Sequence, residues 1–244
     1  MKAIVLAGGK GTRLAPYTRI VPKPMMPIGD KAILEILLCQ MRAAGIDDVI
    51  LTVGHLAGLM RAFFQDGHQF GLTIHYSYEE RPLGTAGPLS LIEGLDETFM
   101  VTNGDVLTTL NLKELIAFHK ENHGILTVAS HKRQVKIDLG VIETNSNYEI
   151  HDYIEKPTIS YLVSMGLYVF EPQALQYIPA SQYLDFPDLV KILIAANERV
   201  IAYPFAGYWQ DLGRADDYEQ ANIDFENMRA QFLPEEEPWT GESH

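Results

Sequence analysis

The sequence predicts an α/β protein with a mixed, mostly parallel central sheet flanked by helices and a small antiparallel excursion. Short β-branched runs alternate with helical patterns through the first half of the chain, which is typical of βαβ units. Hydrophobic residues make up 47% of the 244 residues and charged residues 21%, the balance of a globular protein with a sizeable core. From residue 135 to residue 170, strand-like segments follow one another with few helical patterns, which indicates strands outside the parallel core.

The parallel core is predicted from short apolar runs bounded by glycine or polar residues. These runs occupy residues 2–7, 48–53, 72–78 and 98–102. The clearest helix between them spans residues 31–44, and it ends before Gly45. Its apolar face collects Ile33, Leu34, Leu37, Leu38 and Met41. Weaker helical patterns cover residues 57–65 and 86–95.

In the second half of the chain, the alternation of strands and helices continues, gives way to successive strands, and then resumes up to a C-terminal helix. The predicted elements are a helix at 112–122, strands at 125–130, 138–144, 149–155 and 162–170, a helix at 185–197, a strand at 200–204 and a helix at 214–229. No internal repeat or shift in composition marks a linker. We therefore expect one domain over residues 1–230 and a flexible, acidic tail over residues 231–244.

Charge and cysteine content exclude several classes of function. The chain holds 19 Lys and Arg against 32 Asp and Glu, a net charge of −13, and such a surface repels nucleic acid and anionic membranes. The single Cys39 excludes an internal disulfide and a multi-cysteine metal site, and it fits a reducing compartment. The first apolar run is too short for a signal peptide, and no apolar stretch approaches the ~20 residues that cross a bilayer. We therefore expect a cytoplasmic protein with no nucleic-acid or membrane partner.

A glycine-rich segment directly follows the first predicted strand: Leu6-Ala7-Gly8-Gly9-Lys10-Gly11-Thr12-Arg13-Leu14. Its glycines let the backbone approach an anion, and consecutive N–H groups can form a concave nest of donors. Lys10 and Arg13 supply the positive charge that a polyphosphate requires. An ordinary turn between strand and helix would also explain the glycines. Neither the dinucleotide fingerprint nor the P-loop matches, because the first needs a further glycine and the second needs Gly-Lys-Ser/Thr.

A second cationic candidate lies between two prolines, in Pro22-Lys23-Pro24. Prolines restrict the backbone on both sides of the lysine, so its side chain is aimed in advance. A lysine that contacts phosphate gains from such preorganisation, whereas a solvated lysine in a proline-rich loop does not.

Two aspartates follow predicted strands in separate parts of the chain. Asp105 lies in Asn103-Gly104-Asp105, and Asp211 lies in Trp209-Gln210-Asp211-Leu212-Gly213. The carboxyl ends of strands are where α/β sheets bind ligands. Two such carboxylates can share one Mg²⁺, which prefers carboxylate and phosphate oxygens. Turn or helix-cap roles are the alternatives, and sequence spacing does not show that the two side chains meet.

Six segments in this order resemble the sugar-nucleotide pyrophosphorylase family, whose members make NDP-sugars from sugar 1-phosphates and NTPs. They are the glycine-rich segment, Pro22-Lys23-Pro24-Met25, Pro82-Leu83-Gly84-Thr85-Ala86-Gly87, Asn103-Gly104-Asp105, Glu155-Lys156-Pro157 and Trp209-Gln210-Asp211-Leu212-Gly213. The resemblance runs from Met1 to about Arg229 and is strongest to the mannose-1-phosphate guanylyltransferase subgroup, through residues 82–89. It implies a Rossmann-like nucleotidyltransferase fold whose antiparallel excursion faces the sugar.

The resemblance also implies roles for individual residues. Arg13, Lys23 and Asp105 would be catalytic, with Arg13 on the triphosphate and Lys23 near the α-phosphate, and Asp105 and Asp211 would bind Mg²⁺. The residues implied for nucleotide binding are Leu6, Gly8, Gly9, Gly11, Thr12, Arg13, Glu79, Gly84 and Asp105. Those implied for the sugar phosphate are Gly140, Glu155, Lys156 and Ser164. The substrates would be small molecules, and the sequence leaves a homo-oligomer open.

The nature of the base depends on Glu79, which by position resembles the side chain that meets the base edge in this family. An ionised carboxylate only accepts hydrogen bonds and can meet both donors of guanine, whereas a glutamine amide suits uracil or thymine better. The sequence therefore favours GTP. A carboxylate could also accept the single N3–H of a pyrimidine, and Glu79 could instead be a solvated charge at a strand end.

The sugar stays open in the sequence. Guanylyltransferases that resemble this chain carry Asn-Ala-Gly where Ser164-Met165-Gly166 stands, and a Met-Gly pair also resembles members that use glucose 1-phosphate. Mannose 1-phosphate is favoured, with a glucose-1-phosphate uridylyl- or thymidylyltransferase as the alternative, and a heptose also stays open. A regulator that binds without turnover is the other alternative. An NAD-dependent oxidoreductase is disfavoured by the missing third glycine.

Overall fold

The computed structural model describes residues 1–233, and residues 234–244 of the predicted tail lie outside the described residues. The strands are β1 Lys2–Leu6, β2 Pro27–Ile28, β3 Lys31–Ala32, β4 Asp48–Val53, β5 Thr73–Tyr78, β6 Phe99–Asn103, β7 Val106–Thr108, β8 Leu126–Lys136, β9 Val141–Thr144, β10 Ile150–Ile154, β11 Thr158–Phe170, β12 Val200–Phe205 and β13 Trp209–Asp211. The α-helices are α1 Ile33–Ala43, α2 Ala57–Phe64, α3 Leu112–Asn122, α4 Phe186–Ala195 and α5 Ala215–Phe232.

A seven-stranded central sheet has the order β12-β8-β11-β6-β1-β4-β5. Strands β6, β1, β4 and β5 are parallel to one another, and β12 is parallel to β8. Strand β11 is antiparallel to both of its neighbours, β6 and β8. The predicted mixed, mostly parallel sheet is therefore confirmed. The chain passes from β1 to β4 on one side and returns to β6 on the other, so β1 and β6 flank the switch point where such sheets bind ligands.

The core consists of three clusters of buried apolar side chains. One lies between the sheet and α1, α2 and α3, and a second lies on the opposite face of the sheet under α4. The third lies where α5 covers α1 and the start of the chain, and it includes Phe225 and Phe232. Helix α1 contributes to two of these clusters because apolar residues occupy more than one of its faces. None of the helices described in residues 1–233 has the length and apolar character needed to cross a bilayer.

The antiparallel excursion projects from the sheet. Strand β8 pairs with β12 only as far as His131, whereas its pairing with β11 continues to Lys136. Beyond this point β8, β9, β10 and the first half of β11 form what we call the arm, residues 132–163. Its exposed large apolar side chains are Val135, Leu139, Ile142, Tyr148, Ile150, Tyr153, Ile154, Ile159, Tyr161 and Leu162.

Several predicted elements differ from the structure. Residues 86–95 form only a 3₁₀ turn at Gly87–Leu91, with i→i+3 hydrogen bonds from Leu89 to Ala86 and from Ile92 to Leu89. The backbone is extended at Ile92 and Gly94 has a φ of 71°, so no α-helix continues from this turn. Strands β8 and β11 are longer than predicted, and β7 and β13 are too short to show a periodic pattern. The closing helix ends at Phe232, which is buried, so the folded part extends past the predicted boundary at residue 230.

Candidate active site

The glycine-rich segment forms a loop at the carboxyl end of β1, where Gly11 allows a sharp change of direction. Gly11 has a φ of 59°, in the left-handed region that glycine adopts without strain. A Cβ at this position would lie 2.9 Å from the Cγ2 atom of Thr18. The hydroxyl of Thr18 donates to the carbonyl of Gly11 over 2.7 Å, which holds the loop in place.

This loop forms one wall of a cleft of about 290 Å³. The cleft is lined by Leu6, Ala7, Gly9, Gly11, Thr12, Arg13, Leu14, Lys23, Pro24, Asp105 and Gly213. Loop, lysine and aspartate come from separate parts of the sequence, and the fold places them around one space. Backbone N–H groups, two cations and a carboxylate are the groups expected around a polyphosphate with its counter-ion.

A small two-stranded ribbon brings the two aspartates together. Strands β7 and β13 are antiparallel, and Asp211 pairs with Val106, the residue after Asp105. The backbone register of the ribbon therefore places Asp211 beside Asp105. This contact is a product of tertiary pairing between short strands.

Lys23 lies between these carboxylates. Its ammonium donates to Asp105 Oδ2 and lies 3.8 Å from Asp211 Oδ1, and the residue is only 7% exposed. Arg13 lies on the same side of the ribbon, because a Cβ on Gly213 would be 2.8 Å from its Nη1 atom. Two cations and two carboxylates thus form one cluster, in which Arg13, Lys23 and Asp105 line the cleft and Asp211 lies next to them.

The donor set of this cluster fits a hard divalent cation. Asp105 and Asp211 offer carboxylate oxygens that converge on one point, which Lys23 marks with its positive charge. Within residues 1–233, no group of three or more His, Cys, Asp or Glu side chains is placed to hold a metal ion. A pair of carboxylates suits Mg²⁺, which completes its shell with phosphate oxygens and water.

Glu79 lies on the opposite side of the loop. Its carboxylate accepts from the N–H of Leu83 over 3.1 Å, and a Cβ on Gly8 would be 2.7 Å from its Oε1 atom. Burial raises the pKa of Glu79 above its usual range, and the hydrogen bond from Leu83 opposes this effect. Glu79 and Gly8 are therefore in contact at the edge of the glycine loop. A Cβ on Gly84 would lie 2.5 Å from the carbonyl oxygen of Leu184.

Sequence reasoning missed the end of β4, which also borders this edge. The N–H of His55 donates to the carbonyl of Gly8 over 3.4 Å, and a Cβ on Gly54 would lie 3.1 Å from the same oxygen. The position of residues 54–55 in the sequence could have identified them, because they follow a parallel strand next to β1 and so lie at the carboxyl edge of the sheet, where ligands bind.

Ser164 lies in an irregularity of β11, where the pairing with β8 shifts register between Ser164 and Tyr168. Its hydroxyl lies 3.1 Å from that of Tyr168 and accepts from the N–H of Gly166. Gly166 faces Asn103, since a Cβ there would be 2.5 Å from Asn103 Nδ2. The bulge therefore contacts the segment that carries Asp105.

Trp209 joins this bulge to the ribbon of β7 and β13, a role that sequence reasoning did not assign. Its Nε1–H donates to the carbonyl of Met165 over 3.0 Å, and it occupies the same strand as Asp211. Arg133 lies over its ring at 5.1 Å, a cation–π contact. The segment Trp209-Gln210-Asp211-Leu212-Gly213 contains the tryptophan, but the sequence does not show which residues the tryptophan contacts.

The remaining predicted sugar-phosphate residues lie on the arm. A Cβ on Gly140 would be 2.1 Å from the hydroxyl of Tyr153, so this glycine lies against the tyrosine. Glu155 Oε1 is 3.9 Å from Lys156 Nζ, and both side chains are more than half exposed. Among the described contacts of Glu155 and Lys156, none reaches the lining of the cleft. The structure therefore places Gly140, Glu155 and Lys156 together, apart from the cluster of Lys23.

The sequence of this chain is similar to known proteins over most of its length. The family model described as "Nucleotidyl transferase" matches residues 2–228. A UTP–glucose-1-phosphate uridylyltransferase from Synechocystis is 36% identical over 241 residues, which cover 91% of this chain and 62% of the relative. A mannose-1-phosphate guanylyltransferase from Mycobacterium tuberculosis is 35% identical over 230 residues, 91% of this chain and 64% of the relative. The chain thus spans less than two thirds of the length of either relative.

Solved structures share the fold at lower identity. A UDP-glucose pyrophosphorylase complexed with UDP-glucose superimposes with a TM-score of 0.70 at 23% identity, over 93% of this chain and 98% of that one. HddC from Yersinia pseudotuberculosis has a TM-score of 0.70 at 23% identity, over 92% of this chain and 99% of that one. These likenesses describe the fold.

Proposed function

This chain belongs to the nucleotidyl transferase family, and we propose that it joins a nucleoside triphosphate to a sugar 1-phosphate, with release of pyrophosphate. The observation that carries the proposal is the convergence of the glycine loop, Arg13, Lys23, Asp105 and Asp211 at one cleft. Two relatives more than 30% identical are named as transferases of this reaction type.

The reaction needs no protein nucleophile. An oxygen of the sugar phosphate bonds to the α-phosphorus of the NTP, and the bond from that phosphorus to the bridging oxygen of pyrophosphate breaks. Pyrophosphate leaves with that oxygen and its electron pair. The protein contributes by aligning the two anions and by neutralising charge that builds up on the phosphates.

The residues of the cleft divide this work. The N–H groups of the loop and Arg13 hold the triphosphate, and Lys23 contacts the α-phosphate. Asp105 and Asp211 hold a divalent cation, Mg²⁺ by the chemistry of their oxygens, which when bound offsets phosphate charge. Lys156 and Glu155 meet the sugar phosphate from the arm.

For the base we propose GTP, and for the sugar mannose 1-phosphate. Support comes from Glu79, whose carboxylate borders Gly8 and, when ionised, offers two acceptor oxygens to the N1–H and amino group of guanine. A glucose-1-phosphate uridylyl- or thymidylyltransferase is the second candidate, because the relative from Synechocystis is named as a uridylyltransferase.

A matrix of four NTPs against several hexose 1-phosphates tests the function, with pyrophosphate release as the readout. We expect turnover with at least one pair, and the highest kcat/KM for GTP with mannose 1-phosphate. The control is Asp105→Asn, which keeps the size of the side chain and removes its charge. It should lower kcat by ~100-fold or more while the thermal unfolding midpoint stays similar. Nucleotide binding without turnover under any pair would favour the non-catalytic regulator.

A further inference from the structure

We propose that Lys23 is the resident counter-ion of Asp105 and Asp211, and that a divalent cation binds there by displacing its ammonium. The inference rests on the proposed function, which assigns the metal to these carboxylates. It adds that the lysine and the metal exclude each other from the same oxygens.

The geometry gives the ammonium little freedom. Lys23 contacts Asp105 and lies 3.8 Å from Asp211, so one cation faces both carboxylates. The residue is 7% exposed and begins a 3₁₀ turn, Lys23–Met25. Pro22 and Pro24 flank it in the chain. Its backbone is therefore fixed, and only the flexible end of the side chain can move.

Charge decides the competition. Two partly buried carboxylates repel each other unless a positive charge lies between them, and Lys23 supplies it. A divalent cation on those oxygens would lie within a few ångströms of the ammonium, and like charges at that distance repel strongly. Metal binding therefore requires Lys23 to leave, which weakens the affinity of the free protein for metal.

The displaced ammonium has a place to go. Lys23 and the glycine loop line the same cleft, so the phosphates of a bound nucleotide can accept the lysine. Nucleotide binding then frees the aspartates for metal, and metal binding frees the lysine for phosphate. By linkage, each ligand strengthens the binding of the other.

Removal of the lysine charge tests this directly, with Mn²⁺ as the probe and no nucleotide present. Binding is measured by calorimetry or by the loss of the free Mn²⁺ spin-resonance signal. Lys23→Met should bind Mn²⁺ about 10-fold more tightly than the natural protein, because the competitor is gone. Lys23→Arg keeps the charge and should stay close to the natural affinity. Adding Asp105→Asn to Lys23→Met should reverse the gain.

A second measurement does not depend on a substitution. The rate at which an acylating reagent modifies Lys23, followed by mass spectrometry of the natural protein, should rise several-fold when Mg²⁺ is added. Further addition of a non-hydrolysable NTP should lower it again. Lys10, which lies on the exposed side of the loop, is the internal control, and its rate should not follow Mg²⁺.

Two results would overturn the inference. One is a folded Lys23→Met protein that binds Mn²⁺ no more tightly than the natural one. The other, which decides the matter if the variant does not fold, is a Lys23 acylation rate that is insensitive to Mg²⁺. Either result leaves the proposed function intact if the natural protein releases pyrophosphate, whereas absence of turnover across the substrate matrix counts against the function itself.

Discussion

Glu79 has two neighbours that matter for its role, the N–H of Leu83 and the backbone of Gly8. If it meets the base edge, Glu79→Gln replaces one of two acceptor oxygens with a donor. We expect the ratio of kcat/KM for GTP to that for UTP or dTTP to fall by ~10-fold or more, since an unmatched buried polar group costs about 1–3 kcal/mol. Glu80→Gln, a neighbouring carboxylate, is the matched control. An unchanged nucleotide profile would remove Glu79 from the base site.

The pKa of Glu79 gives a separate expectation. Burial raises this pKa, so the carboxyl takes up its proton at a higher pH than an ordinary glutamate would. Only the ionised form accepts from both guanine donors. When the pH is lowered from neutral towards the usual glutamate pKa of about 4.3, the KM for GTP should therefore rise before that value is reached. The rise should be absent in Glu79→Gln. A natural enzyme with a constant KM over this range would contradict it.

At the scale of elements, β13 is the connection between the two halves of the site. Trp209 donates to Met165 in the bulge of β11, and Asp211 on the same strand faces Lys23. Trp209→Phe keeps an aromatic ring and loses the hydrogen bond. We expect the KM for the sugar 1-phosphate to rise ~2- to 10-fold, the equivalent of about 0.5–1.5 kcal/mol. The KM for the NTP should change less, and an equal change in both would show that the strand does not act on the sugar side alone.

The buried His119 on α3 connects secondary-structure elements on its two sides. Its Nδ1 lies 2.7 Å from Thr127 Oγ1 and its Nε2 lies 3.0 Å from Glu171 Oε1, so it ties α3 to β8 and to the end of β11. Burial lowers the pKa of His119, and the hydrogen bond to Glu171 opposes this effect without reversing it. The folded state therefore resists protonation that the unfolded chain accepts.

The sign of the pH effect follows from this shift. Because the unfolded chain binds the proton more readily, His119 stabilises the fold above its ordinary pKa of about 6.5, and this contribution is lost as pH falls below that value. His119→Gln should flatten the dependence of the free energy of unfolding between about pH 6.5 and about pH 5. Urea unfolding at several pH values measures it. His151→Gln, on the exposed arm, is the control and should keep the natural slope.

Some secondary-structure elements could be predicted from the sequence and others could not. The parallel strands and α1 were predictable because burial on a fixed face leaves a periodic pattern. The ribbon of β7 and β13 was not, since three-residue strands have no period to detect and their pairing is set by the rest of the fold. The predicted helix at 86–95 was wrong because Gly87 and Gly94 have low helix propensity and the backbone is already extended at Ile92.

The same contrast holds for the site. The loop, Lys23 and the two aspartates were identified as candidates by residue type and by position after strands. Their contact depends on the register of β7 and β13, which only the structure gives. Trp209 lies within the segment around Asp211, but its hydrogen bond to Met165 and its cation–π contact with Arg133 join three separate strands and leave no pattern in the local sequence.

At the scale of the whole molecule, the arm is separable from the layered core. Its strands expose both faces, and the pairing of β8 with β11 is continued beyond Lys136 by the N–H of Ile137, which donates to the carbonyl of Pro157 over 2.9 Å. The three clusters of buried side chains include no residue between 132 and 163 among their buried members. The core should therefore fold without the end of the arm.

Replacing residues 138–157 with Asn-Gly-Thr tests the division of labour between arm and core. The Asn-Gly turn then lies between Ile137 and a threonine that, unlike Pro157, has an N–H to donate back to Ile137, and the antiparallel pairing of Lys136 with Thr158 continues beyond it. The change removes Gly140, Glu155 and Lys156 and leaves the cleft of Arg13 and Lys23 untouched.

If those arm residues hold the sugar phosphate, the shortened protein should unfold cooperatively and bind NTP with Mg²⁺ within a few-fold of the natural affinity. Its kcat/KM for the sugar 1-phosphate should fall by ~100-fold or more, since a charged contact and its orientation are both lost. Calorimetry with a non-hydrolysable NTP and pyrophosphate release measure the two halves separately. Lys156→Ala in the full-length arm is the finer control, and a shortened protein that still transfers efficiently would place the sugar-phosphate site on the core, beside the bulge of Ser164.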